Sequence, residues 1–219
     1  MPLKIYYVYY ARQLPLSIFT SLIEALPRPM QQKAHSFRRW QDAHAFVLGK
    51  HLLLYALKKN ECMTGLADIE YNSFGRPFIP GCVDFNISHA GHLVICGISD
   101  SGPVGVDIEY HQPVELTDFA NCFSHAEWNS IQHSNGSISR FYEYWTAKEA
   151  ILKANGCGLT DNLTDLEVNN RTEVLFEGVV WYLHKVAIFA DYSCSVACLH
   201  PHIAIEVFPV EVLRHFLSV

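Results

Sequence analysis

The chain has 219 residues, half of them hydrophobic, with 16 Lys plus Arg against 22 Asp plus Glu and a formal charge of −6. That length and apolar content suit one or two domains with a sizeable core. The acidic balance argues against a nucleic-acid partner, so any anion site must be a local basic patch.

No apolar run approaches a membrane span, and the opening Met1-Pro2-Leu3-Lys4-Ile5 lacks the layout of a signal peptide, so no membrane partner is expected. The seven cysteines are Cys62, Cys82, Cys96, Cys122, Cys157, Cys194 and Cys198. Their number is odd, no Cys-x-x-Cys occurs, and most have apolar neighbours. They read as reduced core residues of a cytoplasmic protein, not as a disulfide frame or a zinc site.

In chain order, residues 4–10 read as a strand and 16–26 as a helix ended by Pro27 and Pro29. A second helix is expected over 30–39. A third, over 41–59, carries Phe46, Leu48, Leu52, Leu53, Tyr55 and Leu57. Strands follow at 84–89, 92–99 and 104–110, with Asp100-Ser101-Gly102-Pro103 as a loop. The second half gives helices over 115–122, 124–133 and 137–155. Strands then follow at 165–169, 173–177, 179–188, 191–199 and 203–208, and a short helix over 210–217. Both halves run from a long helix through an irregular stretch to a strand hairpin. Trp40-Gln41-Asp42-Ala43-His44-Ala45 can be laid beside Trp145-Thr146-Ala147-Lys148-Glu149-Ala150.

Two segments carry chemistry. In the strand Val104-Gly105-Val106-Asp107-Ile108-Glu109, the apolar residues share one face and Asp107 and Glu109 share the other. Adjacent carboxylates repel unless a cation lies between them, although a solvated strand face can carry the same pattern. On the helix Trp145 to Lys153, Glu149 and Lys153 stand four residues apart on one face. That spacing fits an exposed ion pair, or a third carboxylate and an ammonium meeting the first two. Three carboxylates and a lysine suit a hard divalent cation with a phosphate-bearing substrate. Ser124 and Glu127 read as a capping box at a helix start, which explains Glu127 without chemistry. Lys148 reads as an exposed helix lysine.

These segments together resemble the 4'-phosphopantetheinyl transferase superfamily, of the Sfp type. That family carries a Gly-hydrophobic-Asp-hydrophobic-Glu strand and a Trp-Ser/Thr-x-Lys-Glu-Ala/Ser-x-x-Lys helix. Gly75-Arg76-Pro77-Phe78-Ile79-Pro80, Phe85-Asn86-Ile87-Ser88-His89 and Phe123-Ser124-His125-Ala126-Glu127 match further segments in the same order, so the resemblance runs from near Lys33 to near Pro201.

The resemblance implies an α+β fold: a pseudo-dimer of two similar α/β subdomains, each a small antiparallel sheet packed with a long helix, with the active site in the cleft between them. The division would fall between 1–103, on the side of the coenzyme A 3'-phosphate and adenine, and 104–219, holding the metal and catalytic residues, with the last residues packing back on the first half. It implies an enzyme that moves the phosphopantetheine arm of coenzyme A to a serine of an apo acyl or peptidyl carrier protein. Magnesium is the expected metal, and manganese would suit the same oxygen ligands.

By the same resemblance Asp107, Glu109 and Glu149 hold the metal, and Glu149, Lys153 and Glu127 are catalytic. Lys33, Arg39, Gly75, Arg76, Pro77, Ser88, His89 and Lys153 contact coenzyme A. Arg76 replaces the family's more usual Lys there. An internal pseudo-dimer points to a monomer. A coenzyme A-binding regulator without transfer activity and a metal-dependent hydrolase of coenzyme A or nucleotides are the competing readings.

Overall fold

The computed structural model describes residues 2–158, 163–169 and 171–216, without the side chain of Leu213. In chain order the elements are β1 (Leu3–Tyr9), α1 (Leu16–Glu24), α2 (Arg28–Ser36), α3 (Trp40–Lys59), β2 (Glu70–Tyr71), β3 (Pro77–Phe78), β4 (Asp84–Ala90), β5 (Leu93–Ser99) and β6 (Val104–Tyr110). They continue with α4 (His125–Gln132), α5 (Ser137–Asn155), β7 (Glu173–Phe176), β8 (Val179–Lys185), β9 (Tyr192–Cys198), β10 (Ile205–Pro209) and α6 (Val212–His215). Leu217, expected in the last helix, lies outside the described residues.

The molecule is a mixed α+β structure with two four-stranded sheets, ordered β10-β1-β5-β4 and β6-β9-β8-β7, and a small β2-β3 ribbon. The strands of β1 and β5 are apolar on both faces, as strands covered on both sides must be. Leu3, Ile5, Leu93 and Ile95 face the second sheet, meeting Val104, Val106, Ile108 and Val196 in a shared inner core. Tyr6, Val8, Val94 and Cys96 face the other way, against Leu22, Leu48, Leu52 and Leu53 of α1 and α3. The outer face of the second sheet is covered by α5 through Phe141, Ala147, Ala150 and Ile151. The result is a helix–sheet–sheet–helix stack.

Four sequence expectations change. The first sheet is not wholly antiparallel, because β10 returns from the far half and runs parallel to β1. Pro29 does not close the first helix. It sits in the first turn of α2, behind Pro27 at the N-cap, where a missing N–H breaks no helical bond. Residues 165–169 do not form a strand: Leu166 and Val168 are buried beside α5, but the backbone N–H groups of Val168 and Asn169 go to the Glu127 carboxylate. The 3-10 geometry of 116–122 replaces the expected α-helix there.

Candidate active site

The site begins at Gly105. A Cβ built there would stand 1.9 Å from the Ala150 carbonyl oxygen and 2.5 Å from the Ala154 nitrogen. Only glycine lets the α5 backbone settle directly on β6. Thr146 Oγ1 and Ser195 Oγ, 2.9 Å apart, join the same helix to β9. This contact brings the helix face bearing Glu149 and Lys153 over the strand face bearing Asp107 and Glu109.

The strand is fixed from its other side by β4. Asp84 Oδ2 accepts the Val104 N–H at 2.7 Å, Asn86 Oδ1 the Val106 N–H at 3.0 Å and Ser88 Oγ the Ile108 N–H at 3.4 Å. Alternate side chains of one edge strand thus satisfy alternate donors of the other, joining the two sheets and leaving these N–H groups with partners. Ser88 Oγ also donates to Asp107 Oδ1 at 2.8 Å and accepts from Lys153 Nζ at 3.2 Å. One donor and two acceptor positions exhaust a hydroxyl, so Ser88 is held by its neighbours.

Asp107 is 3% exposed. Its Oδ1 takes Lys153 Nζ and Ser88, while its buried Oδ2 has no partner. Burial first, and then the Asp107 and Glu149 charges, push the Glu109 carboxyl up to about 7, against the pull of Lys153. Burial and Asp107 raise Glu149 in the same way. Three carboxylates therefore share one ammonium. Among the described residues no three His, Cys, Asp or Glu side chains already stand at metal-holding separation. The donor set is nonetheless all oxygen, carries surplus negative charge and includes an orphaned buried carboxylate oxygen, which fits a hard divalent cation. A cleft of about 240 Å³ opens beside it, lined by Gly75, Arg76, Pro77, Asn86, Glu149 and Lys153 among others.

Residues 103–197, which contain both the carboxylate strand and the helix above it, match the family model of the 4'-phosphopantetheinyl transferase superfamily. The chain is 33% identical over 172 residues to the 4'-phosphopantetheinyl transferase ffp of Bacillus subtilis, covering 76% of each. It is 31% identical over 211 residues to the 4'-phosphopantetheinyl transferase Sfp of Bacillus subtilis (strain 168), covering 91% of this chain and 93% of that one. The chain belongs to the 4'-phosphopantetheinyl transferase superfamily. A eukaryotic relative, the L-aminoadipate-semialdehyde dehydrogenase-phosphopantetheinyl transferase of Schizosaccharomyces pombe, is 35% identical over 172 residues, 68% of this chain and 66% of that one. The protein is accordingly a phosphopantetheinyl transferase with coenzyme A as co-substrate.

In this transferase the residues expected at the site separate into groups. Asp107, Ser88 and Lys153 are in direct contact, Glu109 and Glu149 lie within their field, and Gly75, Arg76 and Pro77 line the same cleft as Glu149 and Lys153. His89 is exposed at the end of β4. Crowding by the surrounding chain and the Lys153 charge hold its imidazole below the usual histidine range, opposed by Asp42 and Asp107. Lys33 is exposed on α2 with Nζ 5.2 Å from the Phe37 ring, and Arg39 is exposed just before α3. Neither lines the cleft.

Glu127 is fully buried and closes the expected capping box with Ser124. Its carboxylate also takes the Val168 and Asn169 N–H groups and Lys148 Nζ at 2.8 Å. None of these partners lines the cleft. Lys148 is therefore not an exposed helix lysine: it is 1% exposed, bonded to Glu127 and the Leu163 carbonyl, and over the Phe123 ring. Its partner lies 21 positions away on α4, beyond the reach of helix periodicity. Sequence reasoning also missed Asp84 and Asn86 as builders of the site. Polar residues alternating at 84, 86 and 88 were the available signal.

Proposed function

We propose that this transferase moves the 4'-phosphopantetheine arm of coenzyme A onto a serine hydroxyl of an apo acyl, peptidyl or aryl carrier protein, with magnesium, and releases adenosine 3',5'-bisphosphate. The observation that carries the reading is the buried Asp107 carboxylate, with Lys153 on one oxygen, no partner on the other, and two carboxylates of raised proton affinity beside it. Asp107 Oδ2, Glu109 and Glu149 would hold the metal. Magnesium supplies charge neutralisation at the pyrophosphate and polarises its oxygens when bound.

The chain's own groups divide the remaining work. Glu149, whose proton affinity is already raised, accepts the serine proton directly or through a water as the serine oxygen bonds to the β-phosphorus. The bond from that phosphorus to the bridging oxygen breaks, and the bisphosphate leaves with the electron pair. Lys153 neutralises a pyrophosphate oxygen where charge builds. Ser88 keeps Asp107 and Lys153 in register. His89 offers a ring N–H and Lys33 and Arg39, also from the first half, offer cations to the 3'-phosphate, and Gly75 and Pro77 line the nucleotide side. Glu127 serves this site from a distance, by fixing α4 and the 167–169 segment against α5.

The overall charge of −6 repels an acidic carrier at long range, so docking depends on local apolar contacts and a few basic residues. All seven cysteines are free thiols, which suits a reducing cytoplasm, and a monomer is the expected assembly. The reading is tested by intact mass. Apo carrier proteins mixed with the transferase, coenzyme A and magnesium gain one phosphopantetheine, and EDTA or Glu149→Ala abolishes the gain. Coenzyme A binding with no gain on any carrier would favour a regulator, and coenzyme A breakdown without carrier a hydrolase.

A further inference from the structure

Arg76 lines the cleft, yet most of its guanidinium is spent inside the protein. Nε donates to the Lys153 carbonyl at 2.7 Å, and Nη1 and Nη2 grip Asp84 Oδ1 and Oδ2 at 3.0 and 2.5 Å. Nη2 also reaches the Val104 carbonyl at 3.2 Å. Asp84 in turn accepts the Val104 N–H. One side chain from the β2–β3 turn therefore ties together the start of β4, the start of β6 and the end of α5.

The turn around it is shaped for this contact. Asn72 Oδ1 accepts the Phe74 and Arg76 N–H groups, and Asn72 Nδ2 donates to the Gly156 carbonyl at 2.9 Å. Gly156 ends α5 in the left-handed region at φ 76°, and a Cβ there would stand 2.6 Å from Arg76 Cδ. The last carbonyls of a helix lack partners within the helix and attract positive charge. Here Asn72 and Arg76 supply the donors. Lys153 is consequently held at both ends, its carbonyl by Arg76 and its ammonium by Asp107 and Ser88.

Taking the transfer reaction above as given, we propose that Arg76 is a positioning residue: bound two-pronged to Asp84, it sets Lys153 and the end of α5 against the carboxylate strand, and coenzyme A affinity does not run through its guanidinium. A lysine cannot replace it, because a single ammonium has no planar fork to bridge a carboxylate and two carbonyls together.

The test compares Arg76→Lys, Asp84→Asn and the double variant of the full chain in the carrier-loading assay, with coenzyme A affinity by calorimetry and hydrogen exchange over 150–157. The expected result is a fall in kcat of about tenfold for each single variant, with KM and Kd for coenzyme A within about twofold. The double variant should be no slower than the worse single, and exchange at the end of α5 should quicken in all three. A part that merely stabilised the fold would lower the melting temperature and leave kcat at the assay temperature unchanged, which overturns the proposal. So does a tenfold loss of coenzyme A affinity in Arg76→Lys with Asp84→Asn unaffected, the pattern of a direct phosphate ligand. Failure of the wild type to load any carrier refutes the transfer reading instead, and the exchange and calorimetry still decide the clamp.

Discussion

Replacing Gly105 by Ala tests how the site is assembled. The added Cβ would stand 1.9 Å from the Ala150 carbonyl oxygen, whereas ordinary contact begins at 3.4 Å, so α5 must withdraw by about 1.5 Å. The obstacle is helix backbone, which cannot swing aside as a side-chain tip can. Overpacking of this kind costs about 3 kcal/mol, or a fall of roughly 6–12 °C in melting temperature for a chain of this size. The same withdrawal lifts Glu149 and Lys153 from Asp107 and Glu109, and a misplacement near 1 Å at reacting groups slows turnover about 100-fold. Thermal melting and carrier loading should therefore both suffer in Gly105→Ala. Gly97→Ala, whose Cβ meets the Val106 side chain at 2.5 Å, should do less harm. Gly65→Ala, with nothing within 4 Å, should stay within about 0.5 kcal/mol of wild type. A Gly105→Ala protein that melts and turns over like wild type would refute the direct seating of α5 on β6.

Four further outcomes follow from the charges. In EDTA, Glu109 contributes stability that is fully present below its ordinary pKa and is lost as pH rises through about 7. Glu109→Gln should therefore be more stable than wild type at pH 8, by about 1–3 kcal/mol once solvent screening of this partly exposed group is counted, with the difference vanishing near pH 4; a variant less stable at pH 8 would contradict the repulsion. Asp107→Asn, which removes the charge that pairs with Lys153, should abolish magnesium-dependent transfer in the intact-mass assay. Glu127→Gln strands a buried ammonium and should lose about 3–5 kcal/mol in urea denaturation. Lys148→Met should lose less, since Glu127 keeps the Ser124, Val168 and Asn169 N–H groups.

What the sequence made legible was local. The apolar alternation of β6, the span of α5 and the Ser124–Glu127 capping box are all written in neighbours at fixed spacing, and all appear where expected. Glycine at 105 carried the motif but not its reason, which is the backbone of a helix 45 positions later. The two-residue strands β2 and β3 are too short for any period to show. Leu166 and Val168 alternate as a strand would, but a buried carboxylate on another helix took the N–H groups that a strand would have needed. Lys148 and Arg76 looked like surface or ligand cations because their partners, Glu127 on α4 and the Lys153 carbonyl, come near only once the chain has folded. The parallel pairing of β10 with β1 joins the two ends of the described chain and leaves no local trace.

The proposed reaction is group transfer from coenzyme A to a carrier serine at the Asp107–Glu109–Glu149–Lys153 site. Its most direct measurement is stoichiometry: adenosine 3',5'-bisphosphate released, counted by chromatography, against phosphopantetheine gained by the carrier, counted by intact mass, in the same tube. One bisphosphate should appear for each modified carrier, and none when the carrier's serine is replaced by alanine. Bisphosphate released without carrier, or in excess of carrier modified, would contradict it.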